Sequence, residues 1–209
     1  ETNKVIKEEI SNTSNITSGK LYDSRDGKEY KTVKIGNQIW MAENLAFKPT
    51  LGTSKSYEDR YDSYEKYGYL YDVYAVTNGN ICPYGWHIPS DQEWTILTDY
   101  LGGSKLAGGK MKSTSGWDNI GIANTKGVNG TDESGFNALP GGMAYRGYHF
   151  YYIGSYGYWW SSTLFKWSST MSGPKKEYVW IRELDKDYQI VRTKKVRPRQ
   201  LYSVRCIKD

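Results

Sequence analysis

Pro-Ser-Asp-Gln-Glu-Trp-Thr-Ile-Leu-Thr-Asp-Tyr-Leu-Gly-Gly, residues 89–103, is the stretch that decides the fold class. Ser90 and Glu93 have the spacing of a capping box, in which each side chain satisfies a backbone N–H of the other. Trp94, Leu97 and Leu101 recur on one helical face, and Gly102-Gly103 ends the run. On either side the periodicity is that of strands. Upstream, Tyr30, Thr32, Val33 and Ile35 lead into Gly36-Asn37, and Gln38-Ile39-Trp40 returns, which predicts a two-residue hairpin. Downstream, Tyr158–Thr163, Tyr178–Leu184, Gln189–Thr193 and Leu201–Ile207 alternate as strands do. A first hairpin, one strong helix and terminal strands predict an α+β domain.

Composition narrows this further. The chain has 209 residues, 38% hydrophobic but 15% aromatic, with 20 Tyr, 8 Trp and 4 Phe. Large rings rather than aliphatic side chains must therefore supply the buried area. The mean hydropathy is −0.73. No apolar run approaches the roughly 18 residues of a membrane span. The 22 glycines and the lack of long Ala/Leu/Glu stretches exclude a helical bundle. The net charge of +5 (28 − 23) mainly serves solubility. Two cysteines, two histidines and no CxxC exclude a structural zinc. Composition alone leaves Cys82 and Cys206 as either buried thiols or one bridge.

Residues 1–20 form a polar segment read as a flexible tether, with 21–209 as one domain. The sequon-like triplets at Asn12 and Asn15 arise readily in such a linker. Without Met or a leader, the chain starting at Glu1 reads as mature or trimmed. Asp23–Gly27 has the carboxylate spacing of a cation loop, but Asp-Gly beside a strand favours a turn. Residues 57–74 hold seven tyrosines and fit either a short amphipathic helix or a surface excursion. The eleven glycines of 102–142 predict a long irregular region pinned by Trp117, Phe136 and Leu139.

Several strings together carry a resemblance: YKTVKIGNQIWMAENL from Tyr30, GYLYDVYAV from Gly68, CPYGWHIPSDQEWTILTDYLGG from Cys82, DESGFNALPGG from Asp132, GYWWSST from Gly157 and SVRCIKD from Ser203. In this order, over about residues 21–209, they resemble the Fibrobacter succinogenes major paralogous domain family of bacterial surface domains. The resemblance implies a C-type-lectin-like fold, related to formylglycine-generating-type domains, with a twisted antiparallel sheet, one or two helices, paired first and last strands and a long loop region. It also implies export to the bacterial cell surface or outer membrane. Export in turn favours a Cys82–Cys206 bridge. Closing so long a loop is worth up to roughly 4–5 kcal/mol in the chain-entropy model.

The same resemblance sets the chemistry to look for. With both cysteines bridged and only His87 and His149, neither a reactive cysteine pair nor a three-histidine iron site is available. No GxSxG string occurs. His87 reads as a hydrogen-bonded structural residue between Trp86 and Ile88, while His149 lies in an aromatic loop, either exposed or touching ligand. The carboxylate pairs Asp132/Glu133 and Glu183/Asp185 carry no glycosidase marker. The chain is therefore expected not to be an enzyme. No EPN or QPD loop is present, and Trp117-Asp118-Asn119 precedes the SGFNALPGG string instead of lying on a late strand. No cofactor is expected, with room left for a structural calcium in the loop region.

Nine aromatics stand between Met143 and Trp160. Trp159 and Trp160 read as core, whereas Tyr145, Arg146, Tyr148 and Tyr152 occupy a Gly-bounded loop suited to ligand contact. Trp180 and Arg182, on the strand face opposite Val179 and Ile181, and Trp167, from the intervening loop, are expected to join them. The basic run from Arg192 to Arg205 reads as a solvated strand and turn rather than a nucleic-acid surface, and it would suit anionic glycans. The expected function is a noncatalytic surface binding domain for a glycan or a surface protein, tethered or lipid-anchored through its N-terminus. The alternative is a structural or adhesin-assembly module whose aromatics make protein contacts.

Overall fold

The computed structural model describes residues 17–117, 129–167 and 176–209, with the side chains of 165–167 and 176–177 outside the description. In chain order the N-terminal part contains β1 (Thr17–Asp23), β2 (Lys28–Ile35), β3 (Gln38–Met41), β4 (Ser54–Lys55), a 3-10 turn (Tyr57–Asp59), α1 (Tyr61–Tyr67), β5 (Leu70–Tyr71) and α2 (Val73–Asn78). Then come β6 (Trp86–His87), α3 (Asp91–Tyr100) and α4 (Ser104–Met111). The last third contributes β7 (Gly141–Tyr145), β8 (His149–Ile153), β9 (Tyr156–Trp167), β10 (Lys176–Asp185), β11 (Val191–Val196), β12 (Gln200–Ser203) and β13 (Ile207–Lys208). The fold is α+β and mostly sheet, with four α-helices among the described residues where one or two were expected, because three short ones accompany α3.

One sheet runs β1-β2-β3-β13-β6, and the other runs β11-β10-β9-β12-β5-β4 with β7 attached to β12 and β8 to β7. The expected pairing of first and last strands is not found among the described residues: β13 joins the same sheet but pairs with β3 and β6, while β1 pairs with β2. The β2–β3 hairpin closes at Ile35↔Gln38, as Gly36-Asn37 predicts. Asp23–Gly27 is a turn, with Asp23 held by Arg25 at 2.6 Å. The first strand begins at Thr17, inside the segment read as a tether, because Thr17–Lys20 pairs with Lys31–Lys34.

α3 follows its sequence signal closely. Ser90 and Glu93 complete the capping box, and Trp94 and Leu97 are fully buried. The Trp94 ring packs on Trp40 at 4.8 Å and on Phe136 at 5.8 Å. The helix start docks on a bulged stretch of β9: Ser162 N donates to Pro89 O at 2.9 Å, and Asp91 N donates to Thr163 Oγ1 at 2.9 Å. Trp159 and Trp160 point to opposite faces, yet both are buried because both faces are covered. Their indole N–H groups donate to Asn44 Oδ1 and to Tyr71 O.

The region read as wholly irregular contains a helix, α4. Its glycines serve close packing instead of turning: a Cβ on Gly108 would stand 2.5 Å from Gln189 O. Trp117 and Phe136 are buried as expected, and Leu139 is half-buried. Residues 57–74 form the 3-10 turn, α1, β5 and the start of α2, with Tyr71 buried and Tyr61 and Tyr74 exposed.

The Cys82–Cys206 bridge is present and joins the segment before β6 to the one before β13. Arg25 reinforces it, donating to Ile81 O at 2.8 Å and Cys82 O at 3.0 Å while its guanidinium lies over Phe47. Arg205 is wholly buried. It donates to Phe136 O, Asn137 O and Asn44 Oδ1 and lies over the Phe136 ring. Burial pulls its guanidinium down to about 9 against the pull of Asp132 and Glu43.

Candidate functional site

The Gly-bounded loop of the sequence is a hairpin, β7–β8, turned at Arg146 and Gly147, both at positive φ. Such turns match the right-handed twist of the flanking strands. Phe150 faces inward against Tyr57, at 5.2 Å between centroids. Strict alternation would turn Tyr152 inward too. Instead Tyr152 sits at φ 68 opposite Gly142 at φ 67, and it is 50% exposed. Tyr148 and Tyr151 are exposed at 63% and 43%. The hairpin therefore presents three tyrosines to solvent on a short, paired scaffold.

These rings form a continuous series. Tyr148 meets His149 at 4.9 Å, His149 meets Tyr151 at 6.5 Å, Tyr151 meets Tyr152 at 5.9 Å and Tyr152 meets Tyr156 at 5.3 Å. Tyr156 then stacks on Tyr158 at 5.7 Å and 7°, and Tyr158 reaches the buried Tyr202 at 5.1 Å. The series anchors an exposed face to the core. At the tip, Arg146 lies over Tyr145, and Arg146 N donates to Arg199 O at 3.0 Å. The Arg199 and Arg146 side chains lower the pKa of the Tyr145 phenol.

Tyr152, Tyr156 and Tyr158 form one wall of an open cleft of about 370 Å³. Glu183 and Asp185 of β10 and Arg192 and Lys194 of β11 form the rest. Register explains the gathering: Glu183 pairs with Tyr158 on one side and Arg192 on the other, and Asp185 pairs with Tyr156. Both acids are almost fully buried. Lys194 Nζ lies 2.6 Å from Glu183, and Arg192 Nη1 lies 3.0 Å from Asp185 and 3.4 Å from Glu183. Burial raises the Tyr156 pKa, and the negative charge of Asp185 and Glu183 adds to it. A larger groove, about 840 Å³, runs between β1–β2 and the Asp132–Asn137 turn, but among the described residues its lining contains no aromatic ring.

The sequence-predicted set divides. Tyr145, Arg146, Tyr148 and Tyr152 lie together on the hairpin. Arg182 does not join them: it is 2% exposed, with Nη1 at 2.5 Å from Asp91 Oδ1 and Nη2 donating to Asp91 O. Alternation identifies its strand face correctly, but the start of α3 covers that face. Trp180 is half-buried, with Lys195 Nζ 4.6 Å from its ring centre. Trp167 closes β9 instead of lying in a loop, and its side chain is outside the described residues. His149 is exposed at the hairpin and contributes to the ring series.

His87 is structural, bonded to Glu93 at 2.9 Å and Asp209 at 2.6 Å. Among the described residues no group of three or more His, Cys, Asp or Glu side chains is arranged to hold a metal ion. Asp118, Asn119 and the rest of 118–128, part of the loop region read as able to hold calcium, lie outside them. The basic run is solvated over Thr193–Lys195 and Arg197–Arg199, but Arg192 and Lys194 are committed to acids of β10. Sequence reasoning noted both the Glu183/Asp185 pair and the basic run without bringing them together. The signal was opposite charge at alternate positions of neighbouring strands, legible only once their register is known.

No helix among the described residues is long and apolar enough to cross a membrane. A family model described as the Fibrobacter succinogenes major domain matches residues 33–208. No curated protein and no solved structure matches the chain.

Proposed function

The chain belongs to the Fibrobacter succinogenes major domain family, and from that premise we propose that it is an exported, noncatalytic binding domain that recognises a glycan or protein through the β7–β8 hairpin. The observation that carries this reading is the exposure of Tyr148, Tyr151 and Tyr152 on a hairpin anchored to the core through Tyr156 and Tyr158. Tyrosine offers large contact area at low entropic cost with a polar tip, so a cluster exposed on a rigid element suits recognition. The disulfide supports an oxidising, extracellular setting, and a tether or lipid anchor at the N-terminus would hold the domain at the cell surface. A C-type-lectin-like architecture is part of the same proposal, supported by the return of β13 to the N-terminal sheet and the packing of α3 beside it.

Alanine at Tyr148, compared with alanine at Trp180, tests the reading. Loss of ligand binding with an unchanged melting temperature for Tyr148→Ala supports it. A variant that binds as before, or that loses stability together with binding, counts against it. The alternative, a module making protein–protein contacts, is favoured by one observation: among the described residues β8 pairs only with β7, leaving an edge open to strand addition.

A further inference from the structure

We propose that the cleft bounded by Tyr152, Tyr156, Glu183, Asp185, Arg192 and Lys194 is a subsite for one neutral sugar ring of a glycan. The inference deepens the reading of the hairpin as a ligand surface and rests on it. Its first ground is size. At about 370 Å³ the cleft falls near the lower end of the range of small-molecule sites, and its open mouth lets a longer chain continue along the hairpin.

The second ground is the contrast between its walls. Tyr152 and Tyr156 line the cleft as a T-shaped pair of rings, apolar surface for the C–H side of a sugar, and Tyr156 is braced by its stack on Tyr158. The floor and far wall carry two carboxylates and two cations on adjacent strands. A pyranose has the matching division, with an apolar C–H face and a rim of hydroxyls.

The third ground is charge. Two acids face two bases, and each acid is already paired. An anionic ligand would compete with Glu183 and Asp185 for the same cations, and a cationic ligand would compete with Arg192 and Lys194 for the same acids. A hydroxyl displaces neither. It accepts from an N–H of Lys194 or Arg192 that the ion pairs leave over, and it needs no buried carboxylate in return. The class of ligand is therefore a neutral polyhydroxylated ring, in contrast to the anionic glycan that the basic run alone would suit.

The backbone supplies a fourth. A left-handed φ at a bulky residue is uncommon and costs energy, so it persists where the surroundings enforce it. Tyr152 has this conformation, and the half-exposed ring it presents lines the cleft.

The test is an amide chemical-shift titration of the intact chain with lactose, maltose and N,N′-diacetylchitobiose, with digalacturonate as the anionic control. The expected result is that at least one neutral disaccharide shifts Tyr156, Glu183 and Lys194 while digalacturonate does not. Lys194→Met and Tyr152→Ala should each weaken that binding by about tenfold, with thermal melts checking that both variants fold. Shifts confined to Tyr148–Tyr151 overturn the cleft assignment and leave the hairpin reading standing. Preferential binding of digalacturonate overturns the neutral class. Failure of every sugar to shift any resonance overturns the subsite, whereas retained binding of a protein ligand through Tyr148 would preserve the wider reading.

Discussion

Lys194 Nζ stands 2.6 Å from Glu183 Oε2 across the β10–β11 pair, over a carboxylate whose side chain is 3% exposed. The contact is one-sided in its consequences. Lys194 is itself half exposed, so an isolated pair of this kind would contribute little, but the acid beneath it is almost shut off from water. Removing Glu183's cations one at a time therefore strands a buried charge, whereas removing acid and base together does not.

Glu183→Gln combined with Lys194→Met should leave stability nearly unchanged. Arg192→Met alone should cost about 1–3 kcal/mol, because two buried carboxylates lose a shared donor. Urea unfolding of the single and double variants measures both; equal losses in the two would refute the argument.

Arg182→Ala should destabilise the fold by about 3 kcal/mol and leave ligand binding intact in whatever fraction folds, because the residue ties β10 to the start of α3. Burial lowers the pKa of its guanidinium, and Asp91 only partly offsets this. A stable Arg182→Ala protein that has lost ligand would return the residue to the binding face.

His87 makes stability depend on pH. Burial acts to lower its pKa, but hydrogen bonds and charge from Asp209 and Glu93 outweigh burial, and the net shift is upward. A raised folded pKa contributes stability that is fully present below the unfolded value of about 6.5 and is lost as pH rises through the folded value. Melting temperature should therefore fall as pH increases across that window, and His87→Gln should flatten the decline. An identical pH profile in the variant would exclude His87 as the cause.

Cys82→Ser with Cys206→Ser should lower stability by up to roughly 5 kcal/mol, since the bridge spans 124 residues of sequence. Chemical unfolding of the oxidised and double-serine proteins at equal concentration gives the difference. No difference would mean that the Arg25 contacts around Cys82 suffice without the bridge.

Much of the scaffold was legible because its signals are local. The capping box at Ser90 and Glu93 and the turn at Gly36-Asn37 specify their elements without help from the rest of the chain. α4 was hidden because Gly108 and Gly109 mimic a turn, and the reason for Gly108 is a backbone, at Gln189, 81 residues further along. The hairpin tyrosines were legible as a cluster, since residues 145–158 hold six tyrosines and three glycines with Ile153 the one aliphatic residue. The face of Arg182 was also legible. Its cover was not, because periodicity says which way a side chain points and not what packs over it. The cleft was illegible for a related reason, as Glu183 and Arg192 become neighbours only through the register of β10 on β11.

The central claim is that the exposed hairpin tyrosines bind ligand. It is tested most directly by a glycan-array and surface-protein screen of the intact chain beside a Tyr148→Ala, Tyr151→Ala variant, each with calcium and with chelator. The account predicts selective binding by the native chain that survives the chelator and disappears in the variant without a change in melting temperature. Binding that the variant retains in full would contradict it.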